Sequence, residues 1–303
     1  MIPARILATA LALGATAVAG CGLGPGKSTG DVELTVSRDY GSKVLLQKQD
    51  SIHESDTVFR VLDRNADVST RYGGGFVQSI DGIAGSQSGG RSSDWFFYVN
   101  GIESPIGSAQ YDLSGGDRVW WDYRDWTAAM RVPAVVGSWP EPFAHGFQGK
   151  HYRANVRCVG SAPPPCDLVR QRLDAAGVAA AAPGDPSETA EIVVGPWKVV
   201  RHEHAPELLS QEPGQSGVFA RFVGGGGPLL ELLNLQGQPA GSIGKGGGLI
   251  AALRPNDGPP VWVVTGTDRK GVLAAANLVG PALRNHYAVA TQPGAGAIGV
   301  PVQ

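Results

Sequence analysis

The feature that most constrains this chain is an aromatic stretch at residues 92–126, SSDWFFYVNGIESPIGSAQYDLSGGDRVWWDYRDW. It has nine aromatic residues in 35 positions, whereas Phe, Trp and Tyr make up only 7% of the chain. The pattern predicts two strands, at 95–99 and 117–125, because successive side chains of a strand point to opposite faces. Between them, Asn100-Gly101 is typical of a tight turn with positive φ.

Both faces of these strands carry aromatic rings. One face must pack on a helix, so rings are left over on the other face. Tyr98, Trp120 and Trp126 are the predicted ligand-binding rings, because a ring with a polar tip suits a ligand or partner surface. Asn100, on the turn, completes the predicted site. Two alternatives remain: the rings fill a core, or the apolar patch docks another protein or the second half of the chain.

Residues 31–126 are predicted to be one unit with a single helix. DVELTVSRDYG alternates apolar and polar residues as a half-buried strand does, and KVLLQKQDSI can pair with it. The period then becomes helical at Val58, Val61 and Leu62, with Ser55 or Asp56 as the N-cap. The order strand, strand, helix, strands indicates an α+β unit with a β-grasp-like sheet.

The rest of the chain has a different organisation. Residues 127–150 are proline-spaced and aperiodic, which predicts an ordered connector. Residues 151–291 alternate strand and helix patterns, which predicts a mixed α/β layered domain. The segment QPGAGAIGVPVQ, residues 292–303, is predicted to be a loose tail.

The N-terminus predicts export. One arginine precedes the apolar run ILATALALGATAVAG, which is typical of a signal peptide and short for a membrane helix. The run ends in VAGC at 18–21, which resembles the bacterial lipobox, so residues 1–21 are predicted to be a lipoprotein signal ending at a lipidated Cys21. Residues 22–30 would form a flexible tether. The alternative is an ordinary signal peptide with a coincidental cysteine.

The cysteines fit an extracytoplasmic location. With Cys21 lipidated, Cys158 and Cys166 remain, and outside the reducing cytosol a disulfide between them is the simplest interpretation. The alternative is a metal site that adds His145 and His151, but these spacings match no compact zinc pattern, so no metal is predicted.

The sequence gives no constellation that predicts catalysis or nucleic-acid binding. The formal net charge is −2, and only 17% of the residues are charged, which offers no basic surface for nucleic acid. GQSGV at 214–218 lacks the serine-elbow spacing, and no Ser or Thr follows Lys245 in its glycine-rich loop. Asp268 is predicted to cap a helix. A deep polar pocket that joined His202, His204 and Asp268 would instead favour an enzyme.

Two segments carry a resemblance to a known family. WFFYVNG at 95–101 and YDLSGGDRVWWDY at 111–123, with SDTVFRVL upstream, resemble the transcobalamin-like C-terminal domain of bacterial surface lipoproteins, a domain of unknown function. The resemblance covers residues 31–126 only. It implies a β-grasp-like lid, which in animal cobalamin carriers closes over a corrinoid against a helical barrel. This chain has no helical repeats to form that barrel.

Together these observations predict a lipid-anchored extracytoplasmic lipoprotein that binds a ligand without catalysis. The partners would be the bacterial cell membrane, through the lipid on Cys21, and a corrinoid-like or other flat molecule, or a glycan. No cofactor is predicted beyond that cobalamin-like option. The alternative function is a structural or protein–protein interaction lipoprotein of the envelope with no small-molecule ligand.

Overall fold

The computed structural model describes residues 27–71, 76–160, 163–224 and 227–303. The predicted signal peptide and Cys21 therefore lie outside the described residues, as do tether residues 22–26. The strands are β1 (Ser28–Arg38), β2 (Lys43–His53), β3 (Val68–Arg71), β4 (Phe76–Ile80), β5 (Ile83–Ala84), β6 (Ser86–Ser88), β7 (Arg91–Val99), β8 (Ile102–Glu103), β9 (Arg118–Asp125), β10 (Arg153–Cys158), β11 (Thr189–Pro196), β12 (Ala220–Val223), β13 (Leu229–Leu233), β14 (Pro239–Ile243), β15 (Gly248–Leu253), β16 (Val261–Gly266), β17 (Ala288–Thr291) and β18 (Ile298–Val300).

The helices are short and few beside these strands. They are α1 (Val58–Asp63), α2 (Pro163–Ala175), α3 (Trp197–Val200), α4 (Pro213–Ser216) and α5 (Arg269–Leu278), with 3-10 helices at Pro206–Ser210 and Pro281–Leu283. The chain is thus a mixed, mostly sheet α+β protein, as predicted at that level. No helix in the described ranges is long and apolar enough to cross a membrane.

The first sheet joins N-terminal strands in the order β2-β1-β9-β7-β6, with β8 beside β7. Its central strands β1 and β9 are parallel, and the other pairs are antiparallel. Asn100 and Gly101 both have positive φ and form the predicted turn, which leads from β7 into β8. A separate three-stranded sheet, β3-β4-β5, follows α1.

Helix α1 covers one face of the first sheet. It buries Val58, Val61 and Leu62 in a cluster that also contains Trp95 and Trp121. Its N-cap is Thr57, whose hydroxyl accepts a hydrogen bond from the Arg60 backbone N–H, so the predicted cap at Ser55 or Asp56 is wrong. The Asp56 carboxylate instead accepts a hydrogen bond from the His53 backbone N–H and pairs with Arg64. These partners occupy the carboxylate, so it does not cap α1.

The second sheet runs β10-β11-β16-β15-β17-β18, with the first three strands parallel and the others antiparallel. Helices α2 and α5 cover one of its faces, burying Val169, Leu173 and Val272 against Ile192 and Trp262. A parallel sheet needs cover on both faces, because its strands are apolar on both. The opposite face therefore needs a second layer.

That second layer comes from the first sheet and from the small sheet β12-β13-β14. One buried cluster joins the two sheets and the small sheet, with the connector between them. Among its members are Tyr40, Tyr98, Trp120, Val132, Val135, Val193, Phe219, Leu230, Leu249, Val263 and Tyr287. The alternation predicted from sequence is present, because Trp95 and Trp121 face α1 while Tyr98 and Trp120 face this cluster. We call the cluster the junction core.

The C-terminal segment is part of the fold, which corrects the prediction of a loose tail at 292–303. Strand β18 pairs with β17, and Val300 is buried. The Val302 N–H donates to the Leu233 carbonyl, and the Gln303 side-chain amide donates to the Asp39 carbonyl. The glycines of this segment hid the strand, because glycine is depleted in strands, although the pairing partner β17 lies close by in sequence.

Candidate functional site

The four predicted ligand-binding residues do not form one exposed site. Tyr98, Asn100 and Trp120 are 0%, 1% and 3% exposed, while Trp126 is half-buried elsewhere. The prediction of a ligand surface at Tyr98, Asn100 and Trp120 is therefore not met in the folded chain. The physical reason is that the second half of the chain covers the surplus rings, which was one of the alternatives considered from the sequence.

Tyr287 is the residue of the second half that meets these rings. Its ring centroid lies 5.3 Å from Trp120, 5.6 Å from Tyr98 and 4.9 Å from Tyr40, all edge-to-face. Tyr40 also meets Phe219 at 4.8 Å. Edge-to-face contacts place the positive ring edge on the negative ring face, so they add to the burial of apolar area. Within the junction core, buried aromatic contacts thus join the two halves of the chain.

A buried carboxylate ties the rings together. Asp122 accepts hydrogen bonds from the Ser37 hydroxyl at 2.5 Å, the Gly41 N–H at 3.1 Å and the Tyr287 hydroxyl at 3.0 Å. The Trp120 indole N–H donates to the same Ser37 hydroxyl at 2.7 Å. Burial raises the pKa of Asp122 to about 6, because the interior disfavours the charged form.

A buried guanidinium lies on the same face. Arg124 is 0% exposed and donates to the carbonyls of Ala129 at 2.7 Å and Met130 at 3.0 Å. Its guanidinium carbon lies 3.7 Å from the centroid of the Phe96 ring, and Glu103 approaches at 3.7 Å. Carbonyls, a ring and one carboxylate together compensate the buried charge. These groups hold the connector against the first sheet.

The side chain of Asn100 has a structural role, because internal hydrogen bonds engage it. Its side-chain amide donates to the Asp117 carboxylate at 2.7 Å and the Gly146 carbonyl at 2.9 Å, and its oxygen accepts from the Arg118 N–H at 2.8 Å. These bonds fasten the turn to β9 and to the connector, which leaves little hydrogen-bonding capacity for a ligand.

Trp126 lines a surface cavity, whereas Trp120 borders only a void of about 10 Å³. The surface cavity has a volume of about 220 Å³, and Phe76, Asp94 and Gln87 also line it. Burial raises the pKa of Asp94. The cavity is below the 300–1,000 Å³ range of ordinary ligand sites. Its size favours a small surface recess over a binding site.

A larger cavity lies in the second half of the chain, where no ligand site was predicted. Its volume is about 790 Å³, within the range of ligand sites. Its floor is a parallel stack of Trp197 and Phe222, with ring centroids 4.4 Å apart. Its lining residues are Trp197, Arg201, His202, Glu207, Leu208, Ser210, Gln211, Gln215, Phe222 and Gly224. We call it the Trp197 cleft.

The chain builds this cleft from short segments at the end of a strand. Trp197 opens α3 directly after the parallel strand β11, and the 3-10 helix and α4 follow before β12. Ligand sites in α/β sheets gather at the carboxyl ends of strands, because loops of different lengths meet there. Sequence analysis missed it because four-residue helices have no period to detect; the run of polar side chains at 201–215 was the available signal.

The polar pocket of His202, His204 and Asp268 that would have favoured an enzyme is not formed. His202 lines the Trp197 cleft. Asp268 instead caps α5, accepting from the backbone N–H groups of Lys270, Gly271 and Gly246, as its position predicted. Among the described residues, no group of three or more His, Cys, Asp or Glu side chains could hold a metal ion.

The disulfide is confirmed. Cys158, at the end of β10, is bonded to Cys166 in the first half of α2. The alternative metal site with His145 and His151 is therefore wrong, because bonded sulfurs are not thiolate ligands.

Comparisons with known proteins match part of the chain. Residues 55–125 match the model of a family described as a domain of unknown function (DUF4430). A solved structure described as a "putative metal binding protein" from Ruminococcus gnavus ATCC 29149 aligns with 15% identity and a TM-score of 0.25, covering 32% of this chain and 97% of that one. No curated protein matches.

We predict that Asp122→Asn changes the pH dependence of stability. A carboxyl whose pKa is raised in the folded state stabilises the fold fully below its ordinary pKa, and this contribution is lost as pH rises through about 6. The wild type should therefore lose stability relative to Asp122→Asn between about pH 4 and pH 7, on the order of 3 kcal/mol. The asparagine oxygen can still accept from Ser37 and Gly41.

Chemical unfolding at several pH values checks this prediction. The control is Asp63→Asn, at the exposed end of α1, which should follow the wild-type profile. A constant difference between wild type and Asp122→Asn across this range would contradict the account.

Proposed function

We propose that this chain is an extracytoplasmic lipoprotein, anchored through Cys21 to the bacterial cell membrane, that binds a small ligand without catalysing a reaction. Two features support the location. The Cys158–Cys166 disulfide is of a kind that persists outside the reducing cytosol. The sequence VAGC ends an apolar run that is typical of an exported lipoprotein.

The anchor predicts how the full chain partitions when it is expressed in a bacterium. Wild type should enter the detergent phase and carry a lipid mass on its new N-terminal Cys21. Cys21→Ser should move to the aqueous phase, because the lipid attaches at that sulfur. Gly24→Ser, just beyond the lipobox, is the control and should partition as wild type does. A wild-type mass without lipid would rule out the anchor.

For the N-terminal unit we propose the finer assignment of a β-grasp-like, transcobalamin-like domain. The support is its topology: a hairpin of β1 and β2, then α1, then β7 and β9, with β1 and β9 parallel at the centre. The aromatic face, which in a lid would close over a ligand, packs here on the second half of the chain and forms part of the junction core. The second half of the same chain thus takes the place of a ligand at this surface.

The ligand site of this proposal is therefore the Trp197 cleft. Its floor is rigid, because Trp197 and Phe222 stack and are each only 3% exposed. Its rim consists of exposed side chains that can donate and accept hydrogen bonds: Arg201, His202, Glu207, Ser210, Gln211 and Gln215. A concave apolar floor with convergent polar groups is the general form of a small-molecule site. This cleft is the observation that carries the proposal.

The chemistry of the rim favours a polyhydroxylated ligand such as a glycan. Amide and hydroxyl side chains exchange hydrogen bonds with hydroxyl groups in both directions, and the arginine and carboxylate donate and accept further bonds. The corrinoid-like option rests on the family resemblance and on the aromatic rings, of which Tyr98 and Trp120 are buried. It therefore enters the test as a comparison compound.

We predict binding of oligosaccharides to the chain that lacks residues 1–21, measured by titration calorimetry with a glycan panel and with cobinamide. The double substitution Gln211→Ala/Gln215→Ala should weaken glycan binding about tenfold or more, because each amide loses its hydrogen bonds to the ligand. Both residues are exposed, so the fold should be retained.

The matched control is Gln87→Ala, which removes an exposed amide from the small cavity beside Trp126. It should leave glycan binding unchanged. Equal effects of the two variants, binding of cobinamide alone, or no binding by the wild type would each remove the Trp197 cleft as the ligand site.

A further inference from the structure

A third cavity, of about 470 Å³, lies where the two halves of the chain meet. Its walls come from β9, the connector, the end of α2 and the 3-10 helix at Pro281–Leu283. Three arginines converge on it from these separate segments. Its lining residues are Arg118, Trp139, Pro140, Arg172, Ala175, Ala176, Gly280, Pro281 and Arg284. We call it the arginine cleft.

Positive charge is in excess in this cleft. Glu33 is shared by two guanidiniums: its carboxylate pairs with Arg284 and lies 3.7 Å from Arg118. Arg172, in the last turn of α2, has no carboxylate within 4.0 Å in the parts of the chain that the structure describes. The charge of Glu141 also acts on Arg118, so two carboxylates face three arginines, and Arg172 has no carboxylate of its own among the described residues.

A hydrogen bond to the connector holds Arg118 in the arginine cleft. One of its terminal nitrogens donates to the Trp139 carbonyl at 2.5 Å, which fixes the guanidinium against the connector. Burial lowers the pKa of Arg118, because removing the guanidinium from water disfavours its charge. The nearby Glu141 carboxylate is engaged by the His145 ring at 2.6 Å and by its backbone N–H at 2.9 Å. An incoming anion would offset the cost of burying Arg118.

The remaining walls are apolar and rigid. Trp139 packs on Trp262 and Phe143, with ring centroids 5.8 Å and 6.2 Å away. Pro140 and Pro281 have fixed backbones, and Ala176 adds a small apolar surface. The cleft thus sets a charged end beside a flat apolar wall.

We propose that the arginine cleft binds an oxyanion, a phosphate or carboxylate, that is attached to a hydrophobic group. Guanidinium groups match the geometry of such oxyanions and bind them through paired hydrogen bonds. The excess charge selects the oxyanion, and the wall of Trp139 and prolines takes the apolar part. This site lies outside the Trp197 cleft and does not depend on the glycan proposal.

The test uses the full chain with Cys21→Ser, so that no lipid anchor drives membrane binding. The probes are phenyl phosphate, benzoate and inorganic phosphate. Their binding is measured by titration calorimetry at low and high salt. Phenyl phosphate or benzoate should bind more tightly than inorganic phosphate, and salt should weaken the binding. Arg172→Ala should weaken it about tenfold, because one charge-assisted contact is lost.

Arg269→Ala is the matched control, since it removes the same charge from an exposed position on α5. It should bind the probes as the parent does. Binding to vesicles of phosphatidylglycerol and of phosphatidylcholine shows whether the oxyanion is a lipid headgroup or a free anion. If the chain prefers phosphatidylglycerol and Arg172→Ala removes this preference, the ligand is a lipid headgroup. If phenyl phosphate or benzoate binds but the chain does not prefer phosphatidylglycerol, the ligand is a soluble anion.

Two results would overturn the proposal. One is no binding of any anionic probe or vesicle. The other is binding that Arg172→Ala and Arg269→Ala weaken equally, because this would reflect net charge alone.

Discussion

The structure depends on covering the second face of the N-terminal sheet. Strands β7 and β9 carry rings on both faces, and α1 can cover only one of them. Full burial of a large apolar side chain is worth roughly 1.5–3 kcal/mol, so leaving Tyr98 and Trp120 in water would cost a sizeable part of a domain's stability. Tyr287, Phe219 and the connector supply the cover instead. One chain thereby provides both a sheet and the surface that closes on it.

This arrangement determines where function can reside. The aromatic face is a folding interface, and its polar groups, Asp122 and Arg124, are occupied by internal partners. We therefore propose that recognition resides in two clefts away from this face. The Trp197 cleft opens beside the end of β11, and the arginine cleft opens where β9, the connector and α2 meet. Their chemistries differ, since one has an amide-rich rim and the other has surplus positive charge.

The sequence predicts local features well where the cause is local. The Asn100-Gly101 turn follows from residues that tolerate positive φ, and the disulfide follows from two cysteines with a short spacing between them. The alternation of residues 95–99 correctly separates Trp95 from Tyr98. This alternation does not identify what covers each face, because the cover comes from residues such as Tyr287, nearly two hundred positions away. The same limit hid the cleft-forming segments at 197–216, which meet only in the folded chain.

Hydroxyl-radical footprinting of the intact protein tests the central claim most directly. Radicals oxidise indole and phenol rings that water can reach, and mass spectrometry locates each product. Trp126, which is half-buried and borders a cavity, should be oxidised readily, whereas Trp120 and Tyr98 should be protected until the chain unfolds. Oxidation of Trp120 at the rate of Trp126 in the folded protein would show that the aromatic face is open to solvent, which contradicts the account.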